Sequence, residues 1–406
     1  MAEHADSGRG RPGPGGAVPA LARLYRALHA HPEPAFEEHR TAAEIAERCS
    51  RLGYAVTDRV GRTGVVATLA NGPGPTVLLT AGLDAPPVTE LTGLPYSSVH
   101  DGVMHARGHD MHMVCLLGAM RALTAGRARW RGRLVCLFQP ATETGRGAQA
   151  LLGDGLYERF GRPAVALGQR LSALPPGTVG CRPGQRFAAC DVLSATVYGS
   201  VRPDFAPAEL AAAIVRRLHR IPDAIPDPGM AHVDAGLFST PRDPLYSGAD
   251  HNSEAVAQAH ILINARTFQE SVRTRVLSAI VRAIHLEALS AGADRVPEIR
   301  QVRSLPGIGN DPPLTERTLT AFTARGMAVI RPGPCAENLA MGRVLAATDT
   351  PACFWLLGGG LVMPEAEPDG AGTPALFCAP SRIEPTIATG TRALTAAATR
   401  CLGAAA

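Results

Sequence analysis

The feature that most restricts the fold is an alternation of short, continuously apolar runs with helix-length segments. "TGVVATLA", "PTVLLTAGLDA", "GRLVCLFQPA" and "AVALGQRL" are short and bounded by turn residues, and they read as buried strands. Between them lie "HDMHMVCLLGAMRALTAG", a helix stopped at Gly126, and "GRGAQALLGDGLYERF", a second helix. Strands that lack a polar face, joined through helices, predict an α/β layer with a largely parallel sheet. Ahead of them, Leu21, Leu24 and Leu28, then Ala42, Ile45 and Ala46, fall at helical spacing, with interruptions at Pro32 and Pro34.

The rhythm changes near Pro183. "DVLSATVYG" and "AHILINARTF" read as strands, and "PAELAAAIVRRLHRI" and "ESVRTRVLSAIVRAIHLEALSAGA" as amphipathic helices. This predicts an inserted α+β satellite domain over 184–301. The catalytic-type α/β domain takes 19–183 and 302–406, and residues 1–18 form an unstructured tail. Alternation resumes with the strand "EIRQVRSL", the helices "LTERTLTAFTARG" and "AENLAMGRVLAAT", the strand "ACFWLLGGG" and a closing helix "TIATGTRALTAAATRCL". "MPEAEPDGAGTPA" is polar and rich in Pro and Gly, and reads as a mobile loop.

Composition narrows the chemistry. The chain is 46% hydrophobic and can bury a sizeable core, while its net charge of +4 shows no block of like charge to hold nucleic acid. All 40 basic side chains are arginine. Without lysine there is no internal Schiff base, which excludes pyridoxal phosphate chemistry and lysine nucleophiles. Nine cysteines are scattered with no C-x-x-C pair. That speaks against a disulfide framework or zinc ribbon and for a reducing cytoplasm. The first residues have no apolar h-region, and no apolar run reaches the ~18 residues that span a membrane, so neither secretion nor membrane insertion is expected.

Four stretches carry candidate chemistry. Asp84 follows a predicted strand, where α/β sheets bind ligands, though a turn cap reads equally well. His105, His109, Asp110 and His112 crowd together, with the permanent cation Arg107 among them. Asp110 at a helix start is also simply favourable to the dipole. Glu143 stands just past the strand ending at Pro140, as a metal ligand or base, or in a first turn capped by Thr142 or Thr144. Cys378 in "LFCAPSRIEPT" precedes the last helix and needs a neighbouring base to act as a nucleophile.

Together, "LHAHPEPAFEEHRTA", "LDAPPVTELTGLPY", "GVMHARGHDMHM", "LFQPATETGRGAQALLGDGLYERF", "PPGTVGCRPG", "INARTF" and "NDPPLTERT" resemble one family over nearly the whole chain. It is the co-catalytic metallopeptidase family of aminoacylases and carboxypeptidases, in its hippurate hydrolase and auxin-conjugate amidohydrolase branch. The resemblance implies a catalytic α/β domain with a satellite domain that mediates dimerisation. It also implies two divalent metals, Mn or Zn, held by one cysteine, three histidines and one glutamate, with a second glutamate as general base. On the matching motifs, Arg107 stands at the ligand cysteine, and His109 and Glu143 match surviving ligands. Thr142 stands at the base, and Arg170 and Cys378 stand at the other two histidines. The satellite's "G-G-H" segment is missing around "YGSVRPD". By the same resemblance, Arg266 is a carboxylate anchor and Asn252 a polar contact for a small-molecule ligand.

A threonine hydroxyl is not a base at neutral pH, and loss of a general base costs about 10²–10⁴-fold. The expectation is a protein that has lost metal-dependent amide hydrolysis and still binds an N-acyl amino acid or similar amide. Arg107 and Arg170 would replace the metals by neutralising Asp84, Asp110 and Glu143. Any remaining chemistry would fall to Glu143, Cys378 and His109. Two alternatives remain open: a working amidohydrolase rebuilt with His105, His112 or Cys378 as ligands, and a non-catalytic dimeric partner protein.

Overall fold

The computed structural model describes residues 17–184, 186–199, 205–226, 229–239, 258–336, 339–362 and 379–404. Asn252, Cys378 and the loop "MPEAEPDGAGTPA" lie outside the described residues. The chain divides into two compact units. One comprises Met1–Gly184, Asn310–Pro332 and Ala347–Ala406, and the other Gln185–Gly309 and Gly333–Ala346. The return expected at residue 302 lies inside the strand Glu298–Leu305.

In the first unit, two helices, α1 (Ala17–Ala30) and α2 (His39–Arg51), precede strands β1 (Ala55–Val60), β2 (Gly64–Asn71) and β3 (Thr76–Gly82). Pro32 and Pro34 fall between the helices, where the missing amides cost no helical hydrogen bond. There follow α3 (His109–Ala125), β4 (Trp130–Gln139), α4 (Arg146–Gly153), α5 (Leu156–Phe160), β5 (Val165–Ser172) and β6 (Thr178–Gly180). The sheet order is β1-β2-β4-β3-β5, then Ala352–Gly358, β6 and Ala328–Ile330. β4, β3, β5 and Ala352–Gly358 run parallel, and antiparallel pairings flank this centre. The sheet is therefore mixed but parallel where it is most buried. Six of the seven residues of β3 are buried, the pattern of a strand covered on both faces.

Helix α3 is buried almost all round, as a helix in the middle of a core must be. Its methionines and leucines pack with Trp130, Phe138, Trp355 and the helix Ile383–Cys401 in one hydrophobic cluster. The segment expected as a single helix over 145–160 is instead α4 and α5. Gly155, at φ +72°, breaks it, and the Asp154 carboxylate accepts the Gly61 amide at 3.0 Å.

The second unit is a four-stranded antiparallel sheet in the order Glu298–Leu305, Ala189–Tyr198, Gln258–Thr267, Ala231–Ser239. Strict alternation along Gln258–Thr267 buries Ala259, Ile261, Ile263 and Ala265 and leaves Leu262 43% exposed. The helices Pro207–Leu218 and Glu270–Ser290 cover the buried face with Leu210, Ile214, Val276 and Ile280. The protein thus has an α/β unit and a smaller satellite unit with its own core.

Candidate functional site

The site forms where three neighbouring parallel strands end. Register pairs Gly82 of β3 with Gln139 of β4, so the residues just beyond them emerge side by side. Asp84, two residues past β3, is fully buried. Its Oδ1 accepts from Thr142 Oγ1 at 2.6 Å and its Oδ2 from the Glu143 amide at 2.8 Å. Arg170 lies near the end of β5 and is 6% exposed.

Helix α3 brings up the other side. His109 Nδ1 donates to the Asp84 carbonyl oxygen at 2.6 Å, and its Nε2 stands 3.8 Å from Glu143 Oε1. The Arg107 Nε stands 3.1 Å from Glu143 Oε2, an ion pair by distance with the N–H not aimed at the oxygen. Asp84, Arg107, His109, Thr142 and Glu143 therefore come together. Arg266 belongs to the satellite unit, where its Nη1 donates to the Ala336 carbonyl at 2.7 Å.

His112 is not a free ligand, and His105 is buried without a polar partner among the described residues. His112 Nε2 accepts the Leu171 amide at 2.8 Å, so its proton sits on Nδ1. Burial, followed by the charges of His109 and Arg170, pushes its pKa far below the ordinary range. His105 is completely buried, neither ring nitrogen has a hydrogen-bond partner among the described residues, and burial lowers its pKa to about 4. Both are neutral at pH 7.

The structure corrects the expectation that guanidinium groups neutralise all three acids. Asp110 faces away from Arg107, into a buried cluster behind the site. Its Oδ1 accepts the Met111 amide at 2.7 Å, and its Oδ2 meets His29 Nδ1 at 2.6 Å. His29 Nε2 reaches Glu90 Oε1 at 3.2 Å. Burial alone would lower the His29 pKa, but hydrogen bonds to the two carboxylates raise it to about 10. Burial likewise works to raise Glu90, but the bonds from His29, the Ser98 amide and Thr92 hold it at about 2. The cluster is a buried imidazolium between two carboxylates.

Sequence reasoning missed His29 and Glu90, and it also missed Glu38. Glu38 is buried and accepts from Thr63 Oγ1 and from the Ala141 amide, the latter at 2.7 Å. Burial raises its pKa against these bonds. It holds the Pro140–Glu143 turn, in which Ala141 has φ +45°. The only signal was the "LHAHPEPAFEEHRTA" stretch, whose residues are informative as a family match and not by their spacing.

Residues 78–396 match the family described as Peptidase family M20/M25/M40. The chain belongs to that family. It is 33% identical to the Bacillus subtilis protein YhaA over 283 residues, 66% of this chain and 68% of that protein. It is 38% identical to the N-acetyl-L-cysteine deacetylase of Bacillus subtilis over 180 residues, 44% of this chain but only 43% of the deacetylase. The fold superposes on a dinuclear metal-binding M20 peptidase of the same organism with a TM-score of 0.74 at 24% identity, covering 95% of this chain and 98% of that one.

The donor set of this M20 chain, taken among the described residues, does not fit a dinuclear site. Among the described residues, no group of three or more His, Cys, Asp or Glu side chains is arranged to hold a metal ion. A guanidinium lies against one oxygen of Glu143, and Thr142 and the Glu143 amide occupy both oxygens of Asp84. A fixed cation beside the ligand carboxylate opposes a divalent ion electrostatically. The scaffold is that of an amidohydrolase family, with a degenerate metal site.

Proposed function

We propose that this protein has given up metal-dependent amide hydrolysis and acts as a binding or repurposed member of the M20 family, with an N-acyl amino acid or similar amide as its ligand. The observation that carries the reading is the Arg107–Glu143 ion pair beside Thr142. In it a fixed cation meets the acid that would ligate metal, and a hydroxyl bonded to Asp84 stands in the place of a proton acceptor. Arg107 and Arg170 are the groups to receive the ligand's carboxylate, since guanidinium binds carboxylate bidentately. By the family resemblance alone, Arg266 and Asn252 are further candidate contacts. Glu143, His109 and Cys378 are the groups available for any metal-free chemistry. The ligand class is supported by the deacetylase relative. Dimerisation through the satellite unit is part of the reading, with Leu237, 46% exposed on the strand Ala231–Ser239, as a contact residue that sedimentation of a Leu237→Arg variant tests.

Elemental analysis of protein purified without chelator, paired with an assay on N-acetyl amino acids, tests the main claim. We expect metal far below one ion per chain and no hydrolysis above background with added manganese or zinc. Two tightly held ions with rapid turnover would end this reading.

A further inference from the structure

We propose that the satellite unit carries a second ligand site, an arginine groove for a phosphate-bearing molecule. The groove is the seam between the helices Pro207–Leu218 and Glu270–Ser290, a cavity of about 580 Å³. Each helix supplies one stripe at i, i+3, i+4, i+7 spacing: Ala213, Arg216, Arg217 and Arg220 from the first and the turn that follows it, and Ala279, Arg282, Ala283 and Leu286 from the second. The alanines form a floor with room above it, and the guanidinium groups form the rim.

The charges are lopsided. Four arginines line the groove against one acid, Glu287, whose Oε1 is taken by Arg217 Nη1 at 2.7 Å. Arg216, Arg220 and Arg282 have no ion-pair partner among the described residues. A helix dipole favours cations at the C-terminal turn that carries Arg216 and Arg217. It gives no reason for Arg282, which lies mid-helix on the other side of the seam. Arg216 in the last turn of the first helix and Arg220 in the turn after it both line the groove, so like charges converge there without an acid between them. Guanidinium forks match phosphate oxygens in pairs, and the volume lies within the range of small-molecule pockets. Leu286, 48% exposed, adds an apolar side chain to the lining of the groove.

A free organic phosphate and a lipid headgroup share this chemistry, and two arms of one experiment separate them. The full-length protein is titrated with inorganic pyrophosphate at low salt, and cosedimented with phosphatidylcholine vesicles with and without phosphatidylglycerol. The variants are Arg216→Gln/Arg282→Gln and, as a control of equal net charge, Arg275→Gln/Arg317→Gln, two exposed arginines outside the groove. All these positions are exposed, and melting temperatures check that each variant is folded. We expect the double variant to lose at least tenfold in affinity and the control less than twofold. Loss in the pyrophosphate arm identifies a free phosphate as the source, and loss only with phosphatidylglycerol identifies a headgroup. No binding in either arm, or equal weakening by double variant and control, overturns the proposal.

Discussion

The proton on His29 decides whether Asp110 and Glu90 are tolerated in the core. With the histidine charged, each carboxylate has a partner, and with it neutral, two buried acids face one another. The folded pKa of His29 is about 10 against an ordinary value of 6.5, so its stabilisation is complete below about 6.5 and fades as pH rises through 10. Glu90 is the opposite case. Its folded pKa is about 2 against 4.5, so its contribution is present above about 4.5 and fades as pH falls toward 2. Stability from this cluster should therefore peak between those limits. His29→Gln should cost about 3–5 kcal/mol, as breaking a buried ion pair does, and should flatten the alkaline limb of a denaturation profile. An alkaline limb unchanged in the variant would sink that assignment. At the site itself, Arg107→Cys with Arg170→His would join His109 and Glu143 as a four-donor set, enough for tetrahedral zinc. Elemental analysis should then rise from background toward one zinc per chain in the double variant, and stay at background in either single variant.

The turn between β4 and α4 shows how elements hold the site. Ala141 sits at positive φ, Glu38 binds its amide, and Gly147 packs so closely that an added Cβ would stand 1.6 Å from the Pro140 carbonyl oxygen. Gly147→Ala cannot be accommodated without moving the turn that carries Thr142 and Glu143. It should destabilise by more than about 3 kcal/mol, among the large single-residue effects, which urea denaturation measures. The strands on either side were legible because a continuous apolar run bounded by Gly or Pro has few other solutions. The break at Gly155 was not, since Gly inside an apolar helical pattern is often tolerated. "EIRQVRSL" was legible as a strand but not by partner. It pairs with Ala189–Tyr198, and only that long-range register places it in the satellite sheet. Glu38 was illegible for the same reason, as its partner Ala141 lies 103 residues away.

At the scale of the whole molecule, the local clusters and the losses at family positions were readable from motifs, because ligand residues sit at fixed places in them. The charge partners were not. Nothing in the stretch around Asp110 announces that His29, rather than Arg107, balances it. The same scale offers the sharpest test of the degenerate site. A ligand that binds only the folded chain stabilises it by about 2.7 kcal/mol at a hundredfold excess over its Kd, and a chelator that strips a resident metal removes that stabilisation. A shift of several degrees in melting temperature would follow in a working M20 enzyme, because its metal ligands would join the ends of β4 and β5 to the start of α3. Here the ends of β3 and β4 and the start of α3 are joined by the bonds of Asp84 to Thr142 and the Glu143 amide, by His109 to the Asp84 carbonyl, and by Arg107 to Glu143, none of which a chelator touches. EDTA should leave the melting temperature within the scatter of replicate scans, and manganese or zinc should not raise it. An N-acetyl amino acid at millimolar concentration should raise it, and Arg107→Gln should abolish that rise while leaving the free protein folded. A fall with EDTA that manganese reverses would mean that Arg107 yields its place to a metal ion.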